Sequence, residues 1–150
     1  MIDIDDPNAE DVRALLRTHL AFARAATPAQ YSFALEVEQL VDPGVTFFSA
    51  REAGRLVGVA ALKRLDGTHA ELKSMHTGEA DRGKGVGRAL VEHILVFARC
   101  EGYGRVSLET GSTQEFVPAR VLYRNLGFQE CEPFGDYSAS PYNTFRTMSL

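Results

Sequence analysis

Val12, Leu15, Leu16, His19, Leu20 and Ala23 recur at intervals of three and four, with charged or small residues between them. That spacing draws one stripe along a helix running to about Ala25. Asp6-Pro7 marks its start, with Asp as N-cap and Pro at the first helical position. Thr27-Pro28-Ala29-Gln30 has capping-box spacing and predicts a second helix. Its apolar set includes Tyr31, Ala34, Leu35 and Val41, and Asp42-Pro43-Gly44 closes it. Met1 to Ile4 predicts a short strand before both helices.

The pattern then changes period. Val45 to Ala50 is rich in β-branched and aromatic residues and predicts a strand. Glu52-Ala53-Gly54-Arg55 is a turn, and Leu56 to Leu65 reads as a central strand. Asp66-Gly67 signals a hairpin into a strand from His69 to Thr77. Val86, Leu90, Ile94, Phe97 and Ala98 predict a helix ending near Gly102. Val106 to Thr110 alternates as a strand. Pro118 to Leu126 is a helix stopped by Gly127, and Phe128 to Phe134 and Phe145 to Leu150 are the last strands. The order is β-α-α-β-β-β-α-β-α-β-β. A meander feeding a helical crossover predicts an α/β fold with a mixed, mainly antiparallel sheet, split near the segment that follows Thr77.

Composition narrows the picture only a little. A chain of 150 residues is read as one domain, 1–150. The net charge of −4 and the lack of a basic run argue against a nucleic-acid partner and favour, weakly, a cationic substrate. Cys100 and Cys131 stand too far apart for a metal knuckle, and His69 and His76 match no zinc-helix pattern, so no metal is expected. The acidic start, MIDIDDPNAED, has no apolar core, and no run approaches a membrane span. A cytoplasmic protein with reduced thiols is expected.

The most informative stretch is Glu71 to Ala89, ELKSMHTGEADRGKGVGRA. It reads as strand, glycine-rich loop and helix start. In Arg82-Gly83-Lys84-Gly85-Val86-Gly87-Arg88, alternate glycines leave backbone N–H groups open to a ligand. The helix beyond adds unpaired first-turn N–H groups and its positive dipole end. With three cationic side chains, such a loop suits a phosphate or pyrophosphate. It is not a Walker A loop, because Lys84 is followed by Gly85 rather than a hydroxyl residue. Nor is it the dinucleotide fingerprint, because Arg88 occupies the third glycine position.

Arg82-x-x-Gly85-x-Gly87 does resemble the Gln/Arg-x-x-Gly-x-Gly/Ala loop of the GNAT superfamily of N-acetyltransferases, and the element order resembles that fold. The segments Glu71-Leu72-Lys73-Ser74-Met75, Leu108 to Ser112 and Cys131 to Tyr137 are similar to those of small bacterial acetyltransferases of the YsnE type. The resemblance implies acetyl-CoA as co-substrate. Its pyrophosphate would sit on Arg82 to Ala89, and its pantetheine arm on the backbone of Ser74, Met75, His76 and Thr77. A backbone N–H of Met75 or His76 would polarise the thioester. Ala119-Arg120-Val121-Leu122-Tyr123-Arg124-Asn125-Leu126-Gly127-Phe128 resembles the family segment whose Tyr protonates the leaving thiolate, which assigns that role to Tyr123 and places Ala119 beside the cofactor. Many members carry Asn seven residues before that Tyr, contacting the cofactor; here Phe116 stands there, with Ser112, Thr113 or backbone groups as substitutes.

Deprotonating an amine needs a base. Glu71 lies eleven positions before Arg82, as the catalytic glutamate of histone-type members does, and Glu109 on the next strand is its rival. Lys73 shares the face of Glu71 on a regular strand, so a salt bridge is an alternative use of Glu71. Asp136 and Tyr137 are candidates for the acceptor pocket. The function implied is acetyl transfer to a primary amine of a small molecule by direct attack. The alternative is a non-catalytic acyl-CoA sensor or regulatory module. Homodimers are common in the family.

Overall fold

In the computed structural model, which describes residues 1–150, one seven-stranded sheet organises the chain. Strands β1 (Ile2–Ile4), β2 (Val45–Glu52), β3 (Arg55–Arg64) and β4 (His69–Thr77) form the expected antiparallel meander. β5 (Arg105–Gly111) lies parallel to β4, and β7 (Asn143–Ser149) and β6 (Gln129–Glu130) extend the sheet beyond it, antiparallel. The parallel step needs a crossover, which α3 (Val86–Cys100) supplies. The other helices are α1 (Glu10–Ala26), α2 (Val37–Leu40) and α4 (Val117–Asn125). No helix is long and apolar enough to cross a membrane.

Both faces of the sheet are covered. Leu90, Val91, Ile94 and Ala98 of α3 pack with Phe48, Leu62, Leu72 and Leu108 on one face. Val12 and Leu16 of α1 and Leu40 of α2 pack on Phe47, Val59 and Ala61 on the other. Phe47 and Phe48 point to opposite sides, as the two-residue period of a strand requires. With both sides buried, β3 is apolar over Val57–Leu62 rather than alternating.

Three stretches differ from the sequence expectation. The second helix does not run from Thr27. Ala29–Tyr31 is a single 3₁₀ turn, an irregular segment follows, and only Val37–Leu40 is helical. The capping box forms at Glu36 instead, whose N–H donates to Gln39 Oε1 at 3.0 Å. Tertiary contacts claim the intervening residues: Tyr31 stacks on Tyr142, Phe33 packs edge-on to Tyr137, and the Tyr31 carbonyl accepts from Asn143 Nδ2 at 3.0 Å. The first helix begins at Glu10, because Asp6-Pro7 is used in a preceding turn whose Asp6 Oδ1 accepts from the Asn8 N–H at 2.9 Å. The strand expected over Phe128–Phe134 is reduced to Gln129–Glu130. Phe134 turns inward against Tyr137 and Phe145 rather than continuing the ladder.

The sheet splits where expected, next to the glycine loop. Pairing between β4 and β5 ends at Leu72↔Leu108, yet β4 continues to Thr77 and β5 to Gly111. Against β3, Val59 faces His76 and Ala61 faces Lys73, so Ser74 and Met75 together oppose one residue. This is a β-bulge, and Ser74 has the left-handed φ of 56° that goes with it. Beyond Thr77, Asp81 anchors the glycine loop to β3: Arg55 Nη1 and Nη2 each donate to its carboxylate at 2.9 Å.

The Arg55 hydrogen bonds hold the Asp81 carboxyl below its ordinary value of 3.8. A carboxyl whose folded value is lowered contributes stability above the unfolded value and loses it as pH falls through the folded one. Asp81→Asn is therefore expected to lower Tm at neutral pH. Its deficit against the wild type should shrink as pH falls below 3.8, read from thermal unfolding across pH. A deficit that stays constant into strong acid would show that Asp81 acts by packing alone.

Candidate active site

The glycine loop is built by local backbone demands. Gly83 and Gly85 have φ of 74° and 82°, the left-handed region open to glycine at little cost. Gly85 immediately precedes α3, whose first turn has no side-chain cap, so its N–H groups face outward. Gly87 is needed for contact: a Cβ there would lie 2.9 Å from Met75 Cε and 3.2 Å from Leu122 Cδ2. The helix start is thereby pressed against β4 and α4.

A cavity of about 580 Å³ opens where β4 and β5 part. Ser74, Met75, His76, Thr77, Arg82, Gly83, Gly85, Val86, Gly87 and Arg88 line it along β4 and the loop. Glu109, Ala119 and Tyr123 line it from β5 and α4. Six of the residues singled out from sequence lie outside the lining. Lys84 is directed to Asp81 at 3.8 Å, and Ala89 is exposed on α3. Ser112 Oγ donates to the Pro141 carbonyl at 2.5 Å. Asp136 is exposed, and Glu71 and Tyr137 sit behind Lys73.

Those last three residues form a buried cluster. Lys73 Nζ donates to Glu71 Oε2 at 3.1 Å and to Tyr137 Oη at 2.7 Å, and Tyr137 Oη donates to the same Glu71 oxygen at 2.5 Å. The salt bridge read as an alternative for Glu71 is therefore present, with both side chains almost fully buried. Burial and the adjacent Glu71 charge push the Tyr137 hydroxyl well above 10. Only Lys73 of the three reaches the cavity.

Glu109 is different. Its Oε2 accepts from Asn143 Nδ2 at 2.6 Å, its Oε1 has no partner, and it faces the cavity. Burial raises its carboxyl above the ordinary 4.5, against the opposing pull of the Asn143 hydrogen bond and the Lys73 charge. Tyr123 is buried with its ring edge-on to Phe128 at 5.9 Å. Burial holds its hydroxyl above 10, so it is a protonated donor at neutral pH.

Phe116, the residue at the family's Asn position, also lines the cavity. Its ring lies over Gly111, where a Cβ would come within 2.1 Å of Phe116 Cδ2, and it packs edge-on to Phe22 at 5.4 Å. The glycine makes room for an aromatic wall in place of a polar contact.

Sequence reasoning did not single out His19, Phe22, Tyr31, Phe33 and Lys73 as lining residues. For His19 a signal was present: it lies on the stripe of α1 that faces the sheet. For Tyr31 and Phe33 there was none, because their segment read as helix. No group of three or more His, Cys, Asp or Glu side chains is arranged to hold a metal.

Comparison with known proteins bears directly on this site. Residues 10–128 match the model of the Acetyltransferase (GNAT) family. The chain is 44% identical over 149 residues to the uncharacterized N-acetyltransferase YsnE of Bacillus subtilis, covering 99% of each chain. It is 40% identical to the uncharacterized N-acetyltransferase YedL of Escherichia coli, covering 99% of this chain and 94% of the other. An aminoglycoside 6'-N-acetyltransferase solved with coenzyme A shares the fold at a TM-score of 0.73 and 17% identity, over 99% of this chain and 96% of that one. A family match across the meander, glycine loop and α4, and relatives aligned along nearly the whole length, lead to one conclusion: the chain belongs to the Acetyltransferase (GNAT) family.

Proposed function

We propose that this acetyltransferase moves an acetyl group from acetyl-CoA to a primary amine of a small molecule, by direct attack. The observation that carries this reading is the parting of β4 and β5 after Leu72↔Leu108, which brings three features onto one cavity: the glycine loop, the Tyr123 hydroxyl and the Glu109 carboxyl. The loop and the start of α3 hold the pyrophosphate through backbone N–H groups, with Arg82 and Arg88 beside them. The pantetheine arm lies along the unpaired edge of β4.

The amine nitrogen attacks the thioester carbon, the C–N bond forms and the C–S bond breaks. The amine proton passes to Glu109, and the leaving thiolate takes a proton from Tyr123. Glu109 is favoured over Glu71 as base because it faces the cavity with one oxygen unengaged and a raised carboxyl pKa. Glu71 spends its Oε2 on Lys73 and Tyr137 and serves as a positioning residue for Lys73. Phe22, Tyr31, Phe33 and Phe116 line the same cavity, and such an aromatic wall fits a compact amine better than a folded protein surface. The free thiols of Cys100 and Cys131 suit a reducing compartment, so the reaction is assigned to the cytoplasm.

Calorimetric titration with acetyl-CoA, with ATP and NADH as controls, tests the donor. Selective micromolar binding is expected, and a preference for ATP or NADH would sink the reading. Gly85→Val forces a β-branched residue into a φ of 82°, at about 1–3 kcal/mol. It should weaken coenzyme A binding, and wild-type affinity would remove the loop from the site.

An amine panel read by thiol release then isolates the chemistry. Tyr123→Phe should lower kcat on the order of a hundredfold with little change in coenzyme A affinity. Glu109→Gln should lower kcat/KM and abolish the acid limb of its pH profile, which in the wild type lies above the ordinary carboxyl value of 4.5. If that limb persists in the variant, another group is the base.

A further inference from the structure

Two side-chain atoms in the cavity wall are buried without a hydrogen-bond partner: Oγ of Ser74 and Nε2 of His76. The two residues are 8% and 7% exposed. They stand two positions apart on β4, beyond the point where β5 leaves it. An unsatisfied buried polar group costs about 1–3 kcal/mol. Two such groups on one stretch of pocket wall mark where a bound molecule completes the bonding.

The other ring nitrogen of His76 is already engaged. Its Nδ1 lies 3.2 Å from Nδ1 of His19 on α1, with the ring planes at 66°. Two imidazole nitrogens share a hydrogen bond only when one carries a proton and the other does not. Burial above all pushes both rings down to about 4, helped for His19 by His76 and Lys73 and for His76 by Arg82. Both are therefore neutral near pH 7, and two arrangements remain. His19 donates through Nδ1–H, leaving the His76 proton on Nε2; or His76 donates, leaving its Nε2 bare. His19 is only partly buried, and its own Nε2 is not among the buried unpartnered atoms. The molecule facing His76 therefore decides between the two. The thioester carbonyl oxygen of an acyl-CoA arm only accepts, and its amide groups both accept and donate, so the arm can meet either form of Nε2 and its carbonyl oxygens select the protonated one.

We propose that His76 binds the acyl-CoA arm through its side chain, donating from Nε2–H to a carbonyl oxygen, while His19 acts as a positioning residue that fixes the tautomer. Ser74 Oγ donates to a neighbouring polar group of the same arm. The inference rests on the acetyl-CoA reading above and adds to it a side-chain contact along β4, where that reading placed only backbone groups.

His76→Asn keeps a polar atom facing His19 and leaves nothing at Nε2; His76→Gln extends an amide toward the Nε2 position. In titrations with coenzyme A and acetyl-CoA, the Asn variant should bind about three- to tenfold more weakly, and the Gln variant should recover part of the loss. An equal loss for both compounds assigns the bond to an amide carbonyl of the arm. A loss confined to acetyl-CoA assigns it to the thioester. Wild-type affinity of the Asn variant for both compounds would overturn the proposal.

Two-bond ¹H–¹⁵N spectra of the wild-type imidazole rings provide a readout that needs no variant. The coenzyme A complex should show His76 protonated on Nε2 and His19 on Nδ1. His19→Leu should abolish that single-tautomer signature, and His19→Asn, whose amide can donate to His76 Nδ1, should restore it. A bare His76 Nε2 in the complex would also overturn the proposal. Failure of the wild type to bind either compound would instead remove the donor reading beneath it.

Discussion

The end of one hydrogen-bond ladder governs this molecule. Up to Leu72↔Leu108 the parallel strands β4 and β5 satisfy each other; past it they diverge while both remain extended. Backbone N–H and C=O groups buried without partners are costly, so a strand edge inside a fold must find something to bond. The bulge at Ser74 and Met75 begins the divergence, and the glycine loop with the start of α3 closes its far end. The cavity is thus a property of the sheet. A ligand that lies along β4 completes the ladder, and one that ends in phosphates completes α3.

The groups around that cavity are graded by what holds them. Glu71, Lys73 and Tyr137 satisfy one another, and one Glu71 oxygen accepts from both partners. Glu109 is restrained through one oxygen only, so burial raises its carboxyl pKa while the other oxygen stays available. Tyr123 is held by packing, with burial keeping the phenol protonated. His76 and Ser74 each retain an unpartnered atom. These residues differ above all in the number of partners each has inside the protein.

Much of the fold was legible because its rules are local. The two-residue period of β2 to β4, the helical period of α1 and α3 and the turn at Asp66-Gly67 depend on neighbours in sequence. So does the glycine loop, where positive φ at Gly83 and Gly85 is a demand of the backbone itself. Residues 27–41 were misread for the complementary reason. The capping spacing at Thr27 goes unused: Tyr31 and Phe33 bond and pack with Asn143, Tyr142 and Tyr137, more than a hundred positions away in sequence, and those contacts outweigh the helical preference.

For this protein the sequence alone determined the element order and the backbone of the glycine loop, because helix starts, left-handed glycines and strand periods are short-range physics, while Tyr123 became the acid candidate through resemblance to a family segment. It offered Glu71 as the base candidate, with Glu109 as its rival and a salt bridge to Lys73 as the alternative use of Glu71. Tertiary structure separated them: Tyr137 arrives over Glu71 across 66 positions, and Asn143 reaches one oxygen of Glu109 across 34. It also set His19 against His76 and Phe116 over Gly111. A carboxylate's role depends on what shares its burial, and the partners that decide it come from segments that only folding brings together.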